Sequence, residues 1–314
     1  MDLLDRRLLF VTGKGGVGKT TVSAALGLVA AAQGRRTLVC EVDAKGSVSA
    51  LLEAGPVGFT PTEAVEGVWL MAMDTEDSLK EYLSLQLRVP LIARIGPLAK
   101  TFDFVATAAP GVKEILTVGK LCWEVRERNW DLVIVDAPAS GHVVGQLAAA
   151  ESINELVKVG RVRDQTRWMI DLLADPEVTG AVIVSAPEEM PVAETLELSE
   201  RIRAETQVDL AAVIVNRVLP ELFGRGEEEV FDALCEPAAT ARLAEAAGGP
   251  VNPLLDAARL AVTLRRTRAG HLGRLREGLG DGVPMLFVPY LFTRSFGVRA
   301  TRSVAAALSD ELGY

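Results

Sequence analysis

Short apolar runs punctuate the chain at residues 8–12, 37–42, 68–73, 131–135, 180–184, 211–215 and 284–288. They are rich in Val, Ile and Leu and lack regular polar alternation, so they read as strands covered on both faces. Longer stretches with helical spacing separate them, including 21–33 and 298–312. This alternation predicts an α/β fold with a doubly wound, mainly parallel sheet, built as one domain over residues 1–314. Two intervals, 74–130 and 141–179, exceed what a single crossover needs. They predict an inserted helical subdomain, formed at about 76–128 and 145–178. The Gly/Pro-rich segment 246–253 reads as a surface loop between helices. Ligands of open parallel sheets bind beyond the carboxyl ends of the strands. Asp43, Asp136, Ser185, Asn216 and Pro289 directly follow predicted strands and mark that face.

The first run leads into Gly13, Lys14, Gly15, Gly16, Val17, Gly18, Lys19, Thr20 and Thr21, where a helical stretch begins. Gly13, Gly18, Lys19 and Thr20 satisfy the pattern G-x-x-x-x-G-K-T. A strand before it and a helix after it are the setting a phosphate-binding loop (P-loop) requires. Glycines allow the tight turn and bring backbone N–H groups close to phosphate oxygens. The helix N-terminus adds partial positive charge at the same place. Lys19 is placed to reach the β- and γ-phosphates and the Thr20 hydroxyl to ligate Mg2+. The chain is therefore expected to bind a nucleoside triphosphate, and its sheet to be that of a P-loop NTPase.

A second lysine, Lys14, stands one residue inside the loop. A cation set on developing phosphate charge promotes phosphoryl transfer without covalent chemistry; otherwise Lys14 is a solvated loop residue. Asp136 ends an apolar run and reads as the aspartate that holds Mg2+ through water, or as a helix N-cap. Asp43 reads either as a carboxylate that orients a water attacking the γ-phosphate or as a turn residue before Lys45 and Gly46.

Composition narrows the partners. Net charge is −9, from 33 basic and 42 acidic residues, with no basic tail, so nucleic acid is not an expected partner. The cysteines Cys40, Cys122 and Cys235 are widely spaced and read as buried apolar residues. The longest uncharged run, 20–34, is shorter than the roughly 20 residues that span a bilayer, so no stable membrane insertion is expected. With no signal peptide ahead of the first strand, the expected location is the cytoplasm.

Together, Lys14-Gly15-Gly16-Val17-Gly18-Lys19, the aspartate closing strand two, and Asp136-Ala137-Pro138-Ala139-Ser140-Gly141-His142 resemble the signature-lysine, or deviant Walker A, ATPases. Within them the chain most resembles the arsenical-pump and tail-anchored-protein-targeting ATPase family. The likeness extends to Glu188, Glu189, Glu194 and Thr195 after the fifth strand. It implies ATP as the nucleotide and hydrolysis of its phosphoric anhydride. It implies that Lys14 crosses a dimer interface to the other subunit's nucleotide, and that Asp43, in switch I, helps activate the attacking water. Asp136, Gly141 and His142 become switch II, Asn216 an adenine contact, and Pro289 part of the adenine-side loop.

The chain also departs from the family pattern. Switch I carries Asp43 without the family's proline and histidine, and in switch II the proline comes one place early. The cysteine sets that bind zinc or arsenite in relatives are missing, so neither site is expected. One phosphate loop means that a second copy, or a paralogue, completes the site. The expected function is a dimeric, nucleotide-driven Mg2+-ATPase, with a hydrophobic protein client held on the helical subdomain. Its apolar stretches are better explained, taken alone, by helices packing on one another than by a client groove. The alternatives are a weakly hydrolysing half of a hetero-oligomer and, third, a DNA- or membrane-partitioning ATPase, against which the acidic C-terminus argues.

Overall fold

The computed structural model describes residues 2–43, 45–85, 111–156, 161–224 and 226–314. Its strands are β1 (Leu8–Gly13), β2 (Thr37–Glu41), β3 (Thr62–Val65), β4 (Val68–Ala72), β5 (Leu132–Asp136), β6 (Thr179–Ser185), β7 (Leu210–Val218) and β8 (Met285–Pro289). They form one sheet in the order β3-β4-β2-β5-β1-β6-β7-β8. Every neighbouring pair is parallel except β3 and β4. Phe10 stands opposite both Val135 and Ala181, which sets the register of the three central strands.

Each apolar run predicted from the pattern is a strand. The additional strand β3 escaped that reading for a physical reason. It is a short antiparallel edge whose residues Thr62 and Glu63 are exposed, and it turns into β4 through Gly67 at φ 78°. Half-exposed edges carry no continuous apolar signal.

The period-two geometry of the strands splits their side chains between two cores. Leu9, Val11, Val39, Ile134 and Val182 face α1 (Lys19–Ala32) and α11 (Val298–Leu312). Phe10, Cys40, Val133, Val135 and Ile183 face the opposite way. They pack on α4 (Val112–Arg126), α5 (Ser140–Leu156), α7 (Glu189–Glu205) and α10 (Asn252–Leu279). Both faces are thus covered, the doubly wound arrangement.

The described parts of the two long intervals are α3 (Thr75–Leu85), α4, α5 and α6 (Arg161–Ala174). Val118, Leu121, Val144, Leu147, Met169 and Leu173 from them belong to the same core as the sheet. Residues 86–110 and 157–160 of those intervals lie outside the described residues, as does much of the apolar stretch 82–92. Between β7 and β8 the chain builds a small lobe from α8 (Glu227–Leu234), α9 (Pro237–Ala247) and the first half of α10. Phe231, Val251 and Leu255 are its buried centre. The loop predicted at 246–253 is shorter than expected, because Pro253 occupies the first turn of α10. Cys40 and Cys122 are buried, but Cys235, in the lobe, is only half-buried, a correction to the expectation for all three. Among the described residues no helix is long and apolar enough to cross a membrane.

Close approach of α1 to the sheet depends on a missing side chain. A Cβ at Gly27 would lie 2.8 Å from Val39 Cγ2. Leucine is a better helix former than glycine, so any loss on Gly27→Leu reports packing. The variant is expected to be less stable by about 1–3 kcal/mol, seen as a lower urea midpoint at unchanged slope. An unchanged midpoint would show that this contact does not set the spacing.

Candidate functional site

The chain leaves β1 for β2 on one side of the sheet and later crosses to β6 on the other, so β1 lies at the switch point where ligands bind. The phosphate loop occupies the carboxyl end of β1. Its glycines are needed where the backbone adopts positive φ and crowds its neighbours. Gly13 has φ 139°, and a Cβ there would stand 2.2 Å from the Val184 carbonyl oxygen. Gly18 has φ 99°, and a Cβ there would stand 2.4 Å from Asn216 Nδ2. Gly18 is also the N-cap of α1 and brings no capping side chain. The first-turn N–H donors of α1 therefore form the kind of helix end that receives anions.

Asp136, at the end of β5, is the buried acid of the site. Thr20 Oγ1 donates to its Oδ2 at 2.8 Å, and Ser23 Oγ donates to its Oδ1 at 3.3 Å. Burial pushes the Asp136 carboxyl up to about 6, and the Glu41 charge adds to the rise; the two hydroxyls and the Lys19 charge oppose it. Lys19 Nζ donates to the Lys14 carbonyl at 3.2 Å, curling over the loop. Burial lowers the Lys19 pKa, against the charges of Asp136 and Asp43. A carboxylate and a hydroxyl held together are hard oxygen donors, the set that suits Mg2+. Among the described residues, Lys19 and two hydroxyls offset the Asp136 charge, so a divalent ion fits the donor set and its electrostatics.

Asn216 sits beneath the loop. Its Nδ2 donates to the Val17 carbonyl at 2.9 Å, and its Oδ1 accepts from the Arg217 N–H at 2.9 Å. The side chain thus ties the phosphate loop to β7, a contact the sequence did not signal. Arg217 adopts φ 61°, and the Tyr290 N–H donates to the Val218 carbonyl at 2.8 Å. Pro289 is exposed at the end of β8, opposite Val218 of β7.

The rim differs from the centre. Lys14 is half-buried and forms an ion pair with Glu194 of α7 in its own chain. Asp43 is exposed and pairs with Lys45 at 3.2 Å; Ala44 lies outside the described residues. The buried acid of this segment is instead Glu41, which accepts the N–H groups of Gly46 and Ser47, both at 2.9 Å. These bonds fasten the start of α2 (Ser47–Leu51) to the sheet. Gly141 and His142 are exposed in the first turn of α5, while Thr12 Oγ1 reaches the Pro138 carbonyl at 3.2 Å. Ser185, although at a strand end, is fully buried and accepts from Thr195 Oγ1, so it belongs to the packing of α7.

The structure thus gathers the phosphate loop, Asp136 and Asn216 at one place, with Lys14 at its rim, and leaves Asp43, Gly141, His142 and Pro289 at the surface. Ser23 and Glu41 were missed as site residues, yet each is a lone polar residue inside an apolar helix or strand, a signal available in the sequence.

The profile of the anion-transporting ATPase family matches residues 6–170 and 146–230 of this chain. The ATPase BagA of Mycobacterium tuberculosis is 32% identical over 225 residues, covering 68% of this chain and 66% of that protein. An arsenical pump-driving ATPase of Acidiphilium multivorum is 25% identical over 234 residues, covering 68% of this chain and 40% of that one. An ATPase ASNA1 homolog of Entamoeba dispar is 24% identical over 252 residues, covering 68% and 76%. The match thus spans about 66% of the length of the mycobacterial relatives. The chain belongs to the anion-transporting ATPase family, a family of ATP hydrolases.

Two expectations follow from the geometry. The folded state holds the Asp136 proton more tightly than the unfolded chain, whose aspartate titrates near 3.8. Stability contributed by this group therefore falls as pH rises from about 4 to about 6, and the group is a cost at neutral pH. With chelator present and nucleotide absent, Asp136→Asn is expected to gain about 1–3 kcal/mol over the parent at pH 7 and nothing at pH 4, by urea unfolding. Equal differences at both pH values would contradict a raised pKa. Asn216→Ala, which frees the Val17 carbonyl, is expected to weaken nucleotide binding by about 1–2 kcal/mol in calorimetric titration; unaltered affinity would remove Asn216 from the site.

Proposed function

We propose that this member of the anion-transporting ATPase family hydrolyses ATP with Mg2+ and acts as a nucleotide-driven dimeric switch. The observation that carries the reading is the convergence of the Thr20 and Ser23 hydroxyls on buried Asp136, beside a phosphate loop that holds two lysines.

In this reading the N–H groups of residues 15–21 and the Lys19 ammonium bind the phosphates, and Thr20 with Asp136, through water, holds Mg2+. The ion supplies charge neutralisation at the β- and γ-phosphates. Asn216 keeps the loop in its binding shape through Val17 and, with Pro289, borders the base. Asp43, exposed at the rim, is free to turn toward a water in line with the γ-phosphate once its pairing with Lys45 is broken. Such partly exposed pairs contribute about 1 kcal/mol or less, so the switch is not costly. The Lys14–Glu194 pair is likewise partly exposed, at 28% and 31% of the side chains. A second subunit's phosphates could therefore compete for Lys14. Asp136, Gly141 and His142 open the segment that leads into α5, which would carry nucleotide state into the helices on that face.

A protein client belongs to the same proposal. The described residues place Leu222, Val230, Leu254, Leu260 and Leu264 at the surface of the β7–β8 lobe, each at least 44% exposed. Met169, from the second predicted insertion, is buried in the core instead. The exposed apolar surface thus favours this lobe, rather than α4–α6, as the place for a hydrophobic client. The Asp43–Lys45 pairing favours a second reading, in which the chain turns over feebly alone and needs a paralogue to do better.

Lys14→Ala is expected to keep ATP affinity within about threefold of the parent while steady-state turnover falls by about 10²-fold or more. Lys19→Ala is expected to lose ATP binding itself, by calorimetry. Full turnover in Lys14→Ala would exclude the cross-subunit role. Recovery of turnover only on adding a paralogue, with a monomer by light scattering, would select the second reading.

A further inference from the structure

The edge of the sheet opposite the phosphate loop concentrates arginine, although the chain is acidic overall. Arg6 and Arg7 precede β1, Arg35 and Arg36 precede β2, and Arg126 and Arg128 precede β5. Because β2, β5 and β1 are adjacent and parallel, all six arrive at one edge. Three are engaged elsewhere. Arg6 pairs with Asp209 at 2.7 Å. Arg36 lies 4.8 Å from the ring centroid of Trp69 and 4.5 Å from that of Trp130. Arg126 lies over Trp168 at 4.8 Å.

The other three, Arg7, Arg35 and Arg128, line a surface cleft of roughly 560 Å³ with Trp130, Asp5 and Asp131. Among the described residues none of these three forms an ion pair. Main-chain carbonyls hold two of them in place. Arg7 donates to Val125 at 2.5 Å, and Arg35 donates to Arg6 at 3.4 Å and Asp131 at 3.1 Å. The backbone beneath is knitted into the sheet, since the Arg7 carbonyl accepts from Val133 and the Arg36 carbonyl from Asp131. Burial lowers the Arg7 pKa, and the Arg128 and Arg35 charges push the same way, against Asp131.

The two acids of the cleft do not neutralise it. Asp131 Oδ2 accepts the Arg36 N–H at 2.8 Å, and Asp5 Oδ2 accepts the Asp2 N–H at 3.3 Å. Three guanidiniums against two carboxylates leave a net positive cleft. Arg128 adds an independent sign. It follows the C-cap of α4 at φ 56°, where glycine is favoured, so the arginine side chain stands there at a cost in backbone strain.

We propose that this cleft is a second anion site, separate from the phosphate loop, in which Arg7, Arg35 and Arg128 bind a phosphate group. Guanidiniums present forked donors that match phosphate oxygens. The phosphate is either that of a small soluble molecule or that of a lipid headgroup.

The test uses the full chain with its phosphate loop filled by Mg2+ and the non-hydrolysable β,γ-imido analogue of ATP. Inorganic phosphate is titrated at constant ionic strength, and the melting temperature is read. The parent is expected to show a saturable rise. Arg7→Gln, Arg35→Gln and Arg128→Gly should each weaken the apparent phosphate affinity by about tenfold or more. Arg128→Gly is the decisive variant, because glycine accepts the backbone conformation and the phosphate-free protein should melt no lower than the parent. In a second arm, sedimentation with phosphatidylinositol-phosphate vesicles, but not with pure phosphatidylcholine, and its loss in Arg128→Gly would assign a lipid headgroup. A phosphate response without vesicle binding would assign a soluble ligand. Phosphate shifts of equal size in parent and variants, or no phosphate response and no vesicle binding in the parent, would overturn the proposal.

Discussion

Asp136 is the constraint from which the site follows. A carboxylate buried to 7% exposure is costly unless its charge is met. Here β5 delivers it against α1, and Thr20 and Ser23 meet it with hydroxyls. That junction fixes the first turn of α1 relative to the sheet and so fixes where the phosphate loop begins and ends. Asn216 secures the other side through the Val17 carbonyl. The loop is therefore clamped from β5 and β7, while Gly15 and Gly16 between the clamps stay exposed. Rigid ends with an open middle suit a cradle for phosphate.

The two faces of the sheet divide the remaining work. The face carrying α1 and α11 is an ordinary apolar core that holds the loop's helix in place. The opposite face carries α4 and α5, and the segment from Asp136 to His142 leads directly into α5. In the proposed switch, a change at the nucleotide would reach the helices of that face first, because the Asp136–His142 segment runs into them. The ion pairs at the rim, Lys14 with Glu194 and Asp43 with Lys45, are partly exposed and easily exchanged. The centre is fixed by buried hydrogen bonds, while the rim is held only by these exchangeable pairs.

Much of the fold was legible because parallel strands buried on both faces advertise themselves as apolar runs. Strand β3 was not, since an edge with exposed Thr62 and Glu63 looks like loop. The phosphate loop was legible because its glycines and lysine are local in sequence. Contacts to backbone atoms were not, as with Asn216 on the Val17 carbonyl across 199 residues. Nor was the partner of Lys14, 180 residues away in α7. The arginine pairs ahead of β1, β2 and β5 mean little separately and become a cluster only through the strand order. Sequence patterns report on periodic burial and local motifs, whereas such sites arise from topology.

The central claim is that one chain's nucleotide site is completed by a second subunit. Its most direct test is the specific ATPase activity of the purified chain across a wide range of protein concentration, with Mg2+ and ATP saturating. The account expects activity per subunit to rise with concentration and to level off as a dimer forms in light scattering. Activity per subunit that stays constant while the protein remains monomeric would contradict it.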